Sequence, residues 1–284
     1  MKSFRFFFVF VFMFVFFHCN ARVLHVGEKV YNLYTEKYTT PSLCFDVSGT
    51  VYYASLIPGF VENGLHVNYN DTVYSCCDVS SDYCIENGKL YWAHPDLYLK
   101  SSGLQYIDTN IVPDLSTAIE IAMADTTTNT YSLFGVKTGL TVMNETGFGV
   151  SLESGKFGFF RNGTSVSAID KDNNFHVYYL SNVAASIDGV SYDFASASEP
   201  ISAQRPMFMF GFNHGGIAYD KTMSVKYLKI WSGDTLIRYM VPVPEGLVIG
   251  DYTVPSNGMF DIVSQTFYSN SGIGKFQYGK DISP

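Results

Sequence analysis

The sequence predicts an all-β protein in two parts, a small disulfide-stapled hairpin module over residues 22–97 and a larger antiparallel sandwich over residues 98–284. Three observations predict it. Short apolar-alternating runs recur along the chain, with Gly, Asn and Asp turn signals about every eight to twelve residues. No stretch carries a helical period of useful length. Every cysteine beyond residue 21 falls between positions 44 and 84, so only the first part can be cross-linked internally.

The chain opens with Lys2 and Arg5, an apolar run from Phe6 to Phe17, and the small-residue pattern "HCNA". This is the grammar of a secretory signal peptide, residues 1–21, with cleavage expected after Ala21. The run is too short to cross a hydrocarbon core of about 30 Å as a helix, so export without stable membrane insertion is expected, the rival being an uncleaved anchor. Removing residues 1–21 leaves 16 of the 18 basic residues against all 26 acidic ones, a net charge of −10. Nucleic acid and anionic membrane surfaces, which need basic patches, are thereby disfavoured as partners.

Four cysteines remain, Cys44, Cys76, Cys77 and Cys84. An even count in an exported chain predicts two disulfides. A bond between the neighbours Cys76 and Cys77 would need a strained ring, so one of them is expected to take Cys44 and the other Cys84. A zinc site is the rival, but no C-x2-C spacing or His pair supports it. Within the module, "LCFDVSGTVYYASL", "LHVNYNDTVYSCC" and "CIENGKLYWA" each read as a hairpin, turning at Ser48-Gly49, Asn70-Asp71 and Asn87-Gly88. Asn-Gly is the strongest of these signals, because both central positions of the favoured turn need positive φ. So small a module gains from its bridges, each worth roughly 2–4 kcal/mol.

Beyond residue 98 the same pattern lengthens. "FGVSLESGKFGFFRNGTSVSAI" predicts three strands parted by Ser154-Gly155 and Asn162-Gly163. "NFHVYYLSNVAASIDGVSYDF" predicts three more with Asp188-Gly189 at the last turn, and "SVKYLKIWSGDTLIRYMVPV" a long hairpin around Gly233-Asp234.

Three segments in order carry a family likeness. "YLKSSGLQYIDTNIVPDLSTAIEIAM", "YLKIWSGDTLIRYMVPV" and "GMFDIVSQTFYSNSGIGKF" resemble the opening, late hairpin and closing stretch of laminin-G-like domains in the concanavalin A-like lectin/glucanase superfamily. "FHVYYLSNVAASIDGVSYDF" is similar to that family's strand-to-Asp-Gly hairpin. The likeness spans residues 98–278 and implies a concanavalin A-like antiparallel jelly-roll sandwich. It implies no fixed set of site residues.

Catalytic chemistry is not expected. Glucanases of the wider superfamily carry an E-x-D-x-(x)-E strand, and retention needs two carboxyl groups about 5–5.5 Å apart. The nearest match is Glu120 in "IEIAMAD", but position 122 is Ala, and Asp125 lies an odd number of residues away, on the opposite face of a regular strand. His25, His66, His94, His176 and His214 stand singly, without H-E-x-x-H, and there is no G-x-S-x-G elbow, P-loop or dinucleotide fingerprint. No D-x-D-x-D-G loop predicts calcium, and Asp188 and Asp261 sit in turn contexts, so no metal and no cofactor is expected.

Two loop tips are candidates for binding, "ADTTTNT" at 124–130 and "GFNHGGIAYD" at 211–220. The second groups Asn213, His214, Tyr219 and Asp220 around two glycines, offering amide hydrogen bonds and an aromatic face to a sugar. Sequons at Asn70, Asn144 and Asn162 predict N-glycosylation, two of them at turn tips. The expected function is a secreted, non-enzymatic recognition protein whose partner is a glycan or a glycosylated surface protein. The alternatives are an adhesive module that binds protein and, further off, a glycoside hydrolase acting through Glu120.

Overall fold

The structure is a computed structural model. It describes residues 21–26, 29–34, 42–47, 50–56, 66–69, 72–78, 82–86, 88–125, 131–138, 147–193, 201, 203–215, 217–220 and 222–281. For the strands before residue 79, and for Cys84, Glu86, Trp92, Tyr131, Ser132 and 217–220, only the backbone is described. Regular structure among these residues is entirely β-strand. The chain forms two compact units, Met1–Asn87 and Gly88–Pro284.

In the first unit six antiparallel strands run across the sheet in the order Ala21–Val26, Lys29–Tyr34, Ser42–Val47, Thr50–Leu56, Thr72–Asp78 and His66–Tyr69. The hairpins expected around positions 48–49 and 70–71 are present as paired strands. The predicted leader, the side chains of Cys44, Cys76, Cys77 and Cys84, and the sequons at Asn70 and Asn144 lie outside the described residues.

The second unit holds two facing sheets. One runs Val190–Tyr192, Ala185–Ile187, His176–Leu180, Thr117–Asp125, Met223–Ser232, Thr235–Val243, Gly258–Asp261 and Thr266–Tyr268. The other runs Ile107–Asp108, Phe208–Met209, Tyr131–Lys137, Gly147–Glu153, Lys156–Arg161 and Thr164–Asp170. Pairing is antiparallel except that Gly211–His214 lies parallel to Tyr131–Lys137. The predicted turns fall where expected. Asn162 (φ 43°) and Gly163 (φ 80°), like Asp188 (φ 51°) and Gly189 (φ 78°), adopt the left-handed conformations that a two-residue hairpin demands.

Strand alternation builds one core between the sheets. Ile119, Ile121 and Met123 from the first sheet meet Phe134, Phe148, Val150, Phe157 and Phe159 from the second. The Phe157 and Phe159 rings meet Tyr178 edge-on, at centroid distances of 5.7 and 6.3 Å. Each such fully buried side chain contributes roughly 1.5–3 kcal/mol. Arg161, in register with Phe148, is buried with them. Its guanidinium donates to the carbonyl of Ser181 at 3.2 Å and to that of Asn182, tying the second sheet to a turn of the first.

The segments that carry the family likeness meet in space. The Gln105 carboxamide accepts from Ser102 N at 2.8 Å and from Ser101 Oγ at 3.0 Å, while its Nε2 donates to Ile273 O at 2.9 Å. Asn270 Oδ1 accepts from Tyr106 N at 3.2 Å and Gly272 N at 2.8 Å. "SSGLQY" and "YSNSGIGKF" are therefore two halves of one clasp. Next to it, Leu97–Lys100 pairs with Gln277–Lys280, Leu97 facing Lys280, and Asp281 N donates to Asp96 O at 2.7 Å.

The segment 88–97, which the sequence pattern groups with the small module, is built into this larger unit. Gln265 holds the buried Leu90 by its backbone, accepting from Leu90 N at 2.9 Å and donating to Leu90 O at 2.8 Å.

Candidate functional site

The face of the first sheet turned away from the core carries an unusual row. Across adjacent strands Tyr179 pairs with Glu120, Glu120 with Lys229, and Lys229 with Tyr239. One rung along, Val177, Ala122 and Tyr227 line up in the same way. Alternation explains the placement, because Tyr227, Lys229 and Trp231 interleave with the core residues Leu228 and Ile230. A bulge in the pairing at Ala122/Met123 leaves this half of the row in register.

Electrostatics lock the centre of the row. Lys229 Nζ donates to Glu120 Oε1 at 3.0 Å and lies 5.1 Å from the Tyr227 ring centroid and 5.3 Å from that of Tyr239. The two tyrosines meet edge-on at 6.3 Å. Lys229 is 5% exposed, while the Glu120 side chain keeps 22% of its surface. Oε1 is the only Glu120 oxygen that takes a hydrogen bond among the described residues. A partly wet carboxylate among three half-buried tyrosines suits a ligand with hydroxyls on its edge and C–H groups on its face.

As a catalytic acid Glu120 has no second carboxylate in reach along its strand. Asp125 shares the inner face with Ile121 and Met123, is buried, and accepts at its carbonyl from Lys171 Nζ at 3.1 Å. The rest of 124–130 lies outside the described residues.

The stretch 211–220 is not a loop. Gly211–His214 and Ile217–Asp220 are paired strands, and Phe212 stands opposite Tyr219 and Asn213 opposite Ala218. Asn213 is 2% exposed, and its Nδ2 donates to Pro206 O at 2.9 Å, so its amide is spent inside the fold. His214 is half-buried beside it. The Tyr219 and Asp220 side chains lie outside the described residues. Within this stretch Asn213 therefore serves the backbone of the hairpin.

His176, read from sequence as isolated, is clamped by two aspartates. Nδ1 lies 2.6 Å from Asp188 Oδ2 and Nε2 lies 2.8 Å from Asp172 Oδ1. Burial pushes the imidazole down, but the hydrogen bonds and charges of Asp188 and Asp172 more than offset it, and the net direction is upward. With both nitrogens committed, His176 offers no site for taking a proton from a substrate. Asp261, buried, accepts from Tyr239 N at 2.8 Å and Val263 N at 3.1 Å, a turn role as its context predicts. No cluster of three or more His, Cys, Asp or Glu arranged to hold a metal occurs among the described residues. No helix among them is long and apolar enough to cross a membrane.

No family model matches the chain, and no curated protein matches it. Among solved structures, a Trypanosoma rangeli sialidase in complex with the inhibitor DANA aligns over 75% of this chain at 10% identity and a TM-score of 0.30. The same organism's sialidase in complex with 2,3-difluoro-KDN aligns over 75% at 9% identity, also at 0.30. The chain spans about half the length of these structures, 50% and 51%.

Proposed function

We propose that this chain is a secreted, non-enzymatic recognition protein. Its large unit is read as a laminin-G-like sandwich of concanavalin A-like jelly-roll type that binds carbohydrate or a glycosylated surface protein. The single observation that supports the binding reading is the Tyr179–Glu120–Lys229–Tyr239 row with Tyr227 beside it. Sugars are recognised by aromatic rings against their C–H faces and by carboxylates or amides against their hydroxyls, and this face supplies both. Fold alone would not give a function, so the weight rests on these side chains. Disulfides in the first unit, the leader and N-glycosylation at Asn70, Asn144 and Asn162 belong to the same exported picture.

The test is binding of the chain from residue 22 to 284 to a broad glycan array, with calcium and again with a chelator. Specific binding that is weakened by Tyr239→Ala or Tyr227→Ala and insensitive to the chelator supports the reading. A negative array with folded protein turns the search to a protein partner. Release of reducing ends that is lost in Glu120→Gln makes the chain a hydrolase.

A further inference from the structure

We infer that the sheet face around Glu120 selects by charge, taking neutral glycans and rejecting those that carry sialic acid, uronic acid or sulfate. This rests on the reading of that face as a glycan site and deepens it to a ligand class. Three features of the row carry it.

The first is which member of the ion pair meets water. Lys229 is 5% exposed, its ammonium held by Glu120 Oε1 at 3.0 Å and by the rings of Tyr227 and Tyr239. Glu120 keeps 22% of its side-chain surface. The pair is neutral in sum, but an arriving ligand meets its negative end first.

The second is what that end can do. A carboxylate is an acceptor only, and Glu120 Oε2 takes no hydrogen bond among the described residues. It can accept from a pair of neighbouring sugar hydroxyls, which a neutral hexose supplies. A ligand carboxylate or sulfate would bring a second set of acceptors against it.

The third is that Lys226, the nearest cation to Lys229 along its strand, is already engaged. Lys226, in the bulge on the same strand as Lys229, is held by Asp281 at 2.8 Å and by Asp96 at 3.9 Å. Its ammonium also lies 4.4 Å from the Phe175 ring centroid. Like charges about 4 Å apart near a protein surface repel strongly enough to weaken binding by at least about tenfold. The overall acidity of the chain, −8 at neutral pH, adds to that repulsion at long range.

The experiment uses an array printed with neutral glycans and with their sialylated and sulfated counterparts, followed by titration of the best matched pair. Wild-type protein is expected to prefer the neutral member by at least about tenfold. Glu120→Gln, which keeps the shape and an acceptor oxygen, is expected to shrink that preference to within about threefold by gaining affinity for the anionic member. If this variant does not fold, raising the salt concentration with the wild-type protein replaces it, and the preference is expected to narrow as the repulsion is screened. Equal or tighter binding of the anionic member, or a preference unmoved by both Glu120→Gln and salt, overturns the inference while glycan recognition stands. No binding to any glycan overturns both.

Discussion

Replacing Asp188 by Asn should flatten the pH dependence of stability above neutrality. His176 is held between Asp188 at 2.6 Å and Asp172 at 2.8 Å, and only the protonated ring can donate to both. Two charge-assisted hydrogen bonds would be worth roughly 1.5–3 kcal/mol each if fully buried. Here the aspartate side chains are 42% and 49% exposed, so solvent screens them, and desolvation of the ring works against the pair. A net contribution on the order of 1 kcal/mol remains. Because the folded-state value of His176 is raised, this contribution is complete below the unfolded value of about 6.5 and is lost as pH rises through the folded one. Asp172 bounds the window on the acid side. Burial pushes its carboxyl up, but the bonds from His176 and Asn174 outweigh that and hold it low, so its share is lost as pH falls through that depressed value. Asn tolerates the φ of 51° at position 188 and can still accept from Val177 N, so the substitution removes charge and little else. Urea unfolding of wild type and Asp188→Asn at about pH 5.5 and about pH 8.5 reads the difference. Wild type should lose about 1 kcal/mol between the two and the variant markedly less. An identical loss in both proteins would refute the clamp as its source.

Tyr178 is fully buried with a hydroxyl that has no hydrogen-bond partner among the described residues, so Tyr178→Phe should leave thermal stability unchanged or raise it by up to about 1 kcal/mol; a clear loss would mean the hydroxyl is satisfied. A Cβ at Gly158 would collide with the carbonyl oxygen of Val166, so Gly158→Ala should cost about 2–3 kcal/mol in urea titrations. Gly163→Ala, at φ +80° with open space around it, should cost only about 1 kcal/mol, since the strain there is torsional alone. Alkylation of the unreduced exported protein should label none of Cys44, Cys76, Cys77 and Cys84, and labelling of two or more would remove the expected two-bridge framework. Expressed in a eukaryotic secretory host, the protein should lose mass on N-glycosidase treatment, and Asn162→Gln should remove one glycan's share.

The local layer of the fold is written plainly in the chain. Ser154-Gly155, Asn162-Gly163 and Asp188-Gly189 mark their turns because positive φ is a property of those residues alone, whatever the strands beside them do. The clasp between Gln105 and Ile273 is different. Each half is a weak pattern, and the distance in sequence hides the reason for both. The row on the sheet face was half legible, since Tyr227, Lys229 and Trp231 alternate visibly with Leu228 and Ile230. That Glu120 and Tyr239 would stand on either side of Lys229 depends on strand order and register, which long-range packing sets. The hairpin at 211–220 misleads for a local reason. Gly215 and Gly216 read as a loose loop, and Asn213 reads as a surface amide until Pro206 O is found 2.9 Å from it. His176 looked solitary because its partners at 172 and 188 reach it from two different turns.

The antiparallel pairing of Leu97–Lys100 with Gln277–Lys280 decides how the large unit would respond to a pulling force. Leu97 and Lys280 form the outermost rung of this ladder, so residues 96 and 281 sit side by side at its end. Tension applied through residues 96 and 281 would load that rung alone and then the next, opening the ladder one bond at a time. Strands loaded along their length would share the force over every bond at once. If the chain links two surfaces through these points, its sandwich would peel at low tension, beginning at the Asp96–Asp281 hydrogen bond, while the row at Glu120 and Lys229 stayed intact until the ladder beside Met223–Ser232 gave way.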